Sequence, residues 1–278
     1  MTQMQLIQNH RELSEKRIVV LGGSSGIGLA VAQQLVARGA RAIIASSNAD
    51  RVKQAIATLD ERAEGHRLDL SSERDIEIFF QKIGDFDHLV FTAGDTLQLN
   101  DLAATDLARA RHAFELRYWA VLAAVKHASP HIRRGGSIVL TTGIAAERPH
   151  KGWTLAASVC GAIVSLTRAL AVDLAPIRVN AVSPGVVRTN LWNNMQEQDR
   201  EAMYENVGNH LLVGRVGEAC EIAQAYLFLM QEGYSTGQTV VVDGGALLMQ
   251  GGRQNTGNSS VAGSEEATKV LRAAEEAN

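Results

Sequence analysis

The sequence predicts an α/β fold, a doubly wound parallel sheet of seven strands with helices on both faces. Three observations carry that reading. Short β-branched runs alternate with longer helical patterns along most of the 278 residues; seven such runs occur; and a glycine-rich turn joins the first run directly to the first helical pattern. Apolar runs suit strands buried on both faces, and strand–helix alternation suits the crossovers that parallel strands need.

The elements follow in order. RIVVL precedes GLAVAQQLVARG, RAIIA precedes DRVKQAIATLDE, HRLDL precedes ERDIEIFFQKI, and HLVFT precedes the long pattern LARARHAFELRYWAVLAAVKHA. SIVLT then leads to LAASVCGAIVSLTRALAVDLA, IRVNAV leads through a polar segment to EIAQAYLFLM, and TVVVD closes the series. Residues 1–17 read as an arm and 18–249 as one domain. Residues 250–278 read as a flexible tail, because Gly, Ser and Asn replace apolar residues there before a short Ala- and Glu-rich pattern.

Composition narrows the function classes. Apolar residues at 46 % and charged residues at 21 % suit a globular core. A net charge of -3, with Lys and Arg scattered, gives no footprint for nucleic acid or an anionic membrane, and neither partner is expected. Cys160 and Cys220 fall in separate predicted helices, which argues against a disulfide framework. The N-terminus lacks the apolar core of a secretory signal, and no apolar run is expected to reach the length of a membrane span; a cytoplasmic protein is expected.

GGSSGIG, from Gly22 to Gly28, lies between strand and helix in the first βαβ unit, where backbone N–H groups and a helix N-terminus can hold a pyrophosphate. Gly22 permits the tight turn, Gly26 lets the backbone approach the phosphates and Gly28 lets helix and strand pack closely. The same letters spell G-x-S-x-G around Ser24, a hydrolase nucleophile elbow, but that elbow belongs later in its sheet. About twenty residues on, an acidic residue would grip the ribose of NAD. Ser46, Ser47 and Asn48 stand there instead, with Arg51 a turn further. These groups can donate to a 2'-phosphate, so NADP(H) is the expected cofactor. The competing reading is that Asn48 or Asp50 caps the next helix.

With GGSSGIG, the LDL run at Asp69, FTAG ending at Gly94, NAVSPG at Asn180 to Gly185, GRVGE at Gly214 and TGQTVVVDGG, the chain resembles the short-chain dehydrogenase/reductase superfamily over residues 18–249. That resemblance implies a Rossmann-like fold. It implies cofactor contacts from Gly22, Ser24, Ser25, Gly26 and Ile27 at the turn, and from Asp69 and Leu70 at the adenine. It also implies contacts from Thr92, Ala93 and Gly94, and from Pro184, Gly185, Val187 and Thr189 around the nicotinamide. A homotetramer is implied too. The superfamily's catalytic Tyr and Lys correspond to Ala156 and Cys160, its Ser to Gly143 and its Asn to Arg117, so all four are replaced. Within the superfamily the chain is similar to fungal bifunctional reductase/Diels-Alderases of bicyclic indole-alkaloid pathways. The shared stretches are VFTA with Gln98 downstream, Arg117, LTTG, RPHKGW, CGA and LAVDLAPIRVNAVSPG; where those proteins carry an acidic residue after the Arg-Pro pair, this chain has His150.

Loss of a proton donor penalises carbonyl reduction, which leaves an alkoxide, but not reduction of a cationic C=N bond. The expected function is therefore an NADPH-dependent iminium reductase acting on a bulky small molecule in secondary-metabolite biosynthesis. The alternatives are a catalytically silent NADP(H)-binding pseudoenzyme and a redox-neutral cyclase. Arg117 falls in an apolar seam with Ala110, Phe114, Val121, Val125 and Ala128, so it is expected to meet an anion: a substrate group, the cofactor, or an Asp or Glu. Trp153 either stacks on a planar ligand or packs. His150 either exchanges protons or is a solvated loop residue. Cys160 reads as a small buried hydrophobe. His127 and His131 are four apart, but Pro130 disturbs the helix between them, and no metal site is expected. Residues 190–210 read as a substrate lid or an ordinary amphipathic helix pair.

Overall fold

The computed structural model describes residues 12–94 and 99–249; most of the N-terminal arm, Gln98 and the tail 250–278 lie outside them. Seven parallel strands form one sheet: β1 (Arg17–Leu21), β2 (Arg41–Ser46), β3 (Ala63–Arg67), β4 (Phe86–Phe91), β5 (Ile132–Thr141), β6 (Arg178–Pro184) and β7 (Thr239–Val242). Their order is β3-β2-β1-β4-β5-β6-β7. The crossover direction therefore reverses between β1 and β4, and loops leaving the C-terminal ends of those strands part at that point.

Alternation along the strands divides the core in two. Val19, Leu21, Ile43, Leu89, Phe91, Ile138 and Leu140 face one layer of helices: α3 (Glu73–Ile83), α5 (Ala120–Ala128) and α6 (Thr154–Asp173). Ile18, Val20, Ile44, Val90, Val139 and Val182 face the other: α1 (Gly26–Val36), α2 (Ala49–Ala57) and α8 (Ala219–Gln231). Burial on both faces explains why the strands read as unbroken apolar runs. Leu13, from the predicted arm, is 2 % exposed and belongs to the second cluster.

Three expectations are corrected. The third strand was expected over HRLDL but runs over Ala63–Arg67, because Leu68 and Leu70 are buried in the turn that follows an edge strand. Second, the long central pattern is not one regular helix. α4 (Leu107–Phe114) passes through a π-helical turn at Glu115–Trp119, where the Ala120 N–H donates to the Glu115 carbonyl, before α5 begins. Third, α6 is long and apolar enough, by length and composition, to cross a membrane, with an 18-residue window of mean hydropathy 1.8. Its Ile163, Leu166 and Leu170 pack into the core, and 28 % of that window is buried.

Candidate active site

The parted loops enclose a cleft of about 600 Å³. At the glycine-rich turn Gly22 has φ +87°, and a Cβ there would stand 2.5 Å from the Ala93 nitrogen. A Cβ on Gly28 would run into the Gly22 carbonyl oxygen and Thr92 Oγ1. Gly28→Ala is therefore expected to cost about 1–3 kcal/mol of stability through overpacking, read from the denaturant midpoint. An unchanged midpoint would show that α1 can ride up off β1. Ser25 at the N-cap of α1 makes no side-chain cap, so the first N–H groups of the helix stay available where Ser24, Ser25, Gly26, Ile27 and Gly28 line the cleft.

After β2, Ser46, Ser47 and Arg51 line the cleft. Asn48 is not among the lining residues; its Oδ1 accepts the Arg51 N–H at 2.9 Å and caps α2. Asp69 and Leu70 line the wall with Leu68 and Ser71. Ser71 donates to Asp69 from its hydroxyl (2.7 Å) and its N–H (2.9 Å), which holds that carboxyl below its usual range.

At the far end Thr92, Ala93 and Gly94 face Pro184, Gly185, Val187 and Thr189 across the cleft. The Thr92 hydroxyl donates to the Leu21 carbonyl at 3.1 Å, tying this turn to β1. Beyond it the four replaced positions converge. A Cβ on Gly94 would lie 3.1 Å from Cζ, Nη1 and Nη2 of Arg117 alike, so the guanidinium lies flat over the Gly94 peptide. Cys160 Sγ is 3.4 Å from where a Gly143 Cβ would stand, and Ala156 lies one turn before Cys160 in α6. Burial pushes the Cys160 thiol up, against the opposing pull of the Thr142 hydroxyl and the Arg117 charge, and keeps it protonated. Leu99, Ala145, Ala156, Cys160 and Trp153 form one apolar wall.

Trp153 lines the cleft, and His150 does not. The His150 ring meets Trp153 edge-on, with centroids 4.8 Å apart, and burial followed by the Arg148 charge lowers its pKa. His127 and His131 go separate ways, to Glu73 at 3.0 Å and Asp85 at 3.8 Å. Arg117 is not in the core seam that its spacing predicted. Val121, Val125 and Ala128 are buried, but the π turn rotates Arg117 out to the cleft, half-buried. His112, on α4, and Glu115, at the start of the π turn, stand exposed at the rim of the cleft. Tyr226 is fully buried in the second core, and its hydroxyl is 2.7 Å from that of Thr141, a cleft residue.

A family model described as enoyl-(acyl carrier protein) reductase matches residues 22–246. The short-chain dehydrogenase/reductase fsr5 of Gibberella fujikuroi is 34 % identical over 258 residues, covering 85 % of this chain and 96 % of that protein. The chain belongs to the short-chain dehydrogenase/reductase family. As a member it is an oxidoreductase of that type, and its fold is the Rossmann-like one of the family. Among solved structures, a small-chain dehydrogenase in complex with NADPH is 38 % identical with a TM-score of 0.73, covering 84 % of this chain and 100 % of that one. The MalC reductase/Diels-Alderase of Malbranchea aurantiaca is 30 % identical with a TM-score of 0.80, covering 86 % and 99 %.

Proposed function

We propose that the protein is an NADPH-dependent reductase of a cationic C=N bond in a bulky small molecule of secondary metabolism. The observation that carries this reading is the wall opposite Gly94. Where a family member would present a phenol and an ammonium, this chain presents Ala156 and Cys160, a methyl group and a protonated thiol.

The residues present fit a dinucleotide. The uncapped start of α1 offers N–H groups to a pyrophosphate, the Gly22 and Gly28 contacts leave no room for side chains, and Ser46, Ser47 and Arg51 offer donors to a 2'-phosphate. When bound, NADPH supplies a hydride. Delivery of that hydride to an iminium carbon gives a neutral amine and asks for no proton. The chain's part is then to orient the substrate and exclude water, with the apolar wall around Trp153 against the substrate body and Arg117 against an anionic group. Two substrates matched in shape, a cyclic iminium and a ketone, test this at the nicotinamide absorbance.

Cofactor choice has its own test. NADPH is expected to bind at least about tenfold tighter than NADH, and Ser47→Glu is expected to reverse the order by setting a carboxylate against the 2'-phosphate. Fluorescence titration with both nucleotides reads this; a wild-type preference for NADH would overturn the assignment.

The likeness to a reductase/Diels-Alderase favours a second role, guidance of a cyclisation in the same pocket. A homotetramer is proposed as well. The surface groove of Phe114, Tyr118, Trp119, Ala162 and Leu166, with Trp119 53 % exposed, supports burial of the π turn and α6 between subunits.

A further inference from the structure

The segment after β6 makes a set of contacts that hydride transfer does not use. Arg188 stands between Val187 and Thr189, which both line the cleft, yet its own side chain reaches α7 (Glu197–His210) and the two-residue strand Gly217–Glu218. Its Nη1 donates to both carboxylate oxygens of Glu201, at 2.8 and 2.6 Å, and its Nε is 3.5 Å from Glu218. The guanidinium also lies 4.4 Å from the centroid of the Tyr204 ring.

Tyr204 is buried in a cluster with Trp192, Met195, Met203 and Val216, which shares no buried member with the two cores flanking the sheet. Its hydroxyl meets the backbone N–H of Thr189. Thr189 stands in turn against the phosphate turn, its Cβ 3.4 Å from where a Cβ on Gly26 would be. One line of contacts thus runs from Glu201 through Arg188 and Tyr204 to Thr189 and Gly26. A segment with its own small core can open without unfolding the sheet, so what anchors it decides how often it opens.

We propose that Arg188 is a positioning residue, the latch that ties α7 to Thr189, which stands against the phosphate-binding turn, and so sets the rate of cofactor exchange. This rests on the assignment of the cleft to NADP(H). A single exposed ion pair would do little, but here one guanidinium serves two carboxylates and an aromatic face at once. Its loss should therefore show as a moderate local change.

Two readouts on the full-length protein test the latch. In Arg188→Ala, amide hydrogen exchange over residues 189–210 of the cofactor-free protein is expected to quicken by about tenfold, with β1, β4 and β5 unaffected. NADPH, displaced from the protein in a stopped-flow experiment, is expected to leave about three to ten times faster. Unchanged local exchange would overturn the proposal, and so would acceleration spread evenly over the chain, which marks general destabilisation. If Arg188→Ala does not fold, Glu201→Gln decides by the same readouts, since it removes one carboxylate charge and keeps the shape. If the wild type binds no NADPH, the cofactor assignment falls and the exchange measurement alone judges the latch.

Discussion

A cyclic iminium substrate will be reduced at least about 100 times faster than a ketone of the same shape. A positioned general acid contributes about 100- to 10,000-fold to reductions that generate an alkoxide, equivalent to about 3–5 kcal/mol of barrier. The wall that should hold that acid carries Ala156, Cys160 and Gly143, and burial keeps the thiol protonated and poorly acidic. The phenol of Tyr226 is fully buried and meets the Thr141 hydroxyl. Thr141 itself donates to the Phe91 carbonyl, so the Tyr226 proton points into a closed chain of hydrogen bonds and not into the cleft. Iminium reduction needs no such proton and bears none of this penalty. The measurement is kcat/KM for both substrates from NADPH consumption. Equal rates would mean that a group elsewhere, with His112 and Glu115 at the rim as the first to examine, protonates the product. Tight NADPH binding without turnover of either substrate would instead favour a pseudoenzyme.

Replacement of Arg117 by Ala is expected to lower kcat/KM by about 10- to 100-fold while leaving NADPH affinity within about twofold. A charge-assisted contact to a substrate anion contributes about 1.5–3 kcal/mol, which is the source of that range. The guanidinium lies flat over Gly94 at the reacting end of the cleft, far along the wall from Ser46 and Arg51, where the 2'-phosphate would sit. Its removal should therefore be felt by the substrate first. Steady-state kinetics and a separate nucleotide titration distinguish the two ligands. A parallel loss of both would assign Arg117 to the cofactor or to the fold.

Much of the cleft was legible because its chemistry lies in short, contiguous stretches. Gly22 to Gly28, Ser46 and Ser47, Asp69 and Leu70, Thr92 to Gly94 and Pro184 to Thr189 each lie at or just past the end of a strand, and parallel strands deliver their C-terminal ends to one edge. Asn48 had two readings, and the structure shows the capping one: its Oδ1 accepts the Arg51 N–H, a hydrogen bond satisfied within three residues. His112 and Glu115 were missed because both are exposed polar residues outside the apolar pattern, and spacing alone does not mark them as facing a cleft. The Arg188 contacts were equally hidden, since they join residues 13 and 30 positions apart whose loops meet only in three dimensions.

By itself the sequence determined the alternation of elements, the parallel sheet, the glycine-rich turn and the identity of the groups in the cleft wall, because local pattern and side-chain type fix those. Tertiary structure decided where Arg117 points, which polar residues cap helices, and how the segment beyond Pro184 is fastened. The reason is physical: those outcomes depend on helical phase and on contacts between chain-distant loops, and neither is encoded in the spacing of any one stretch.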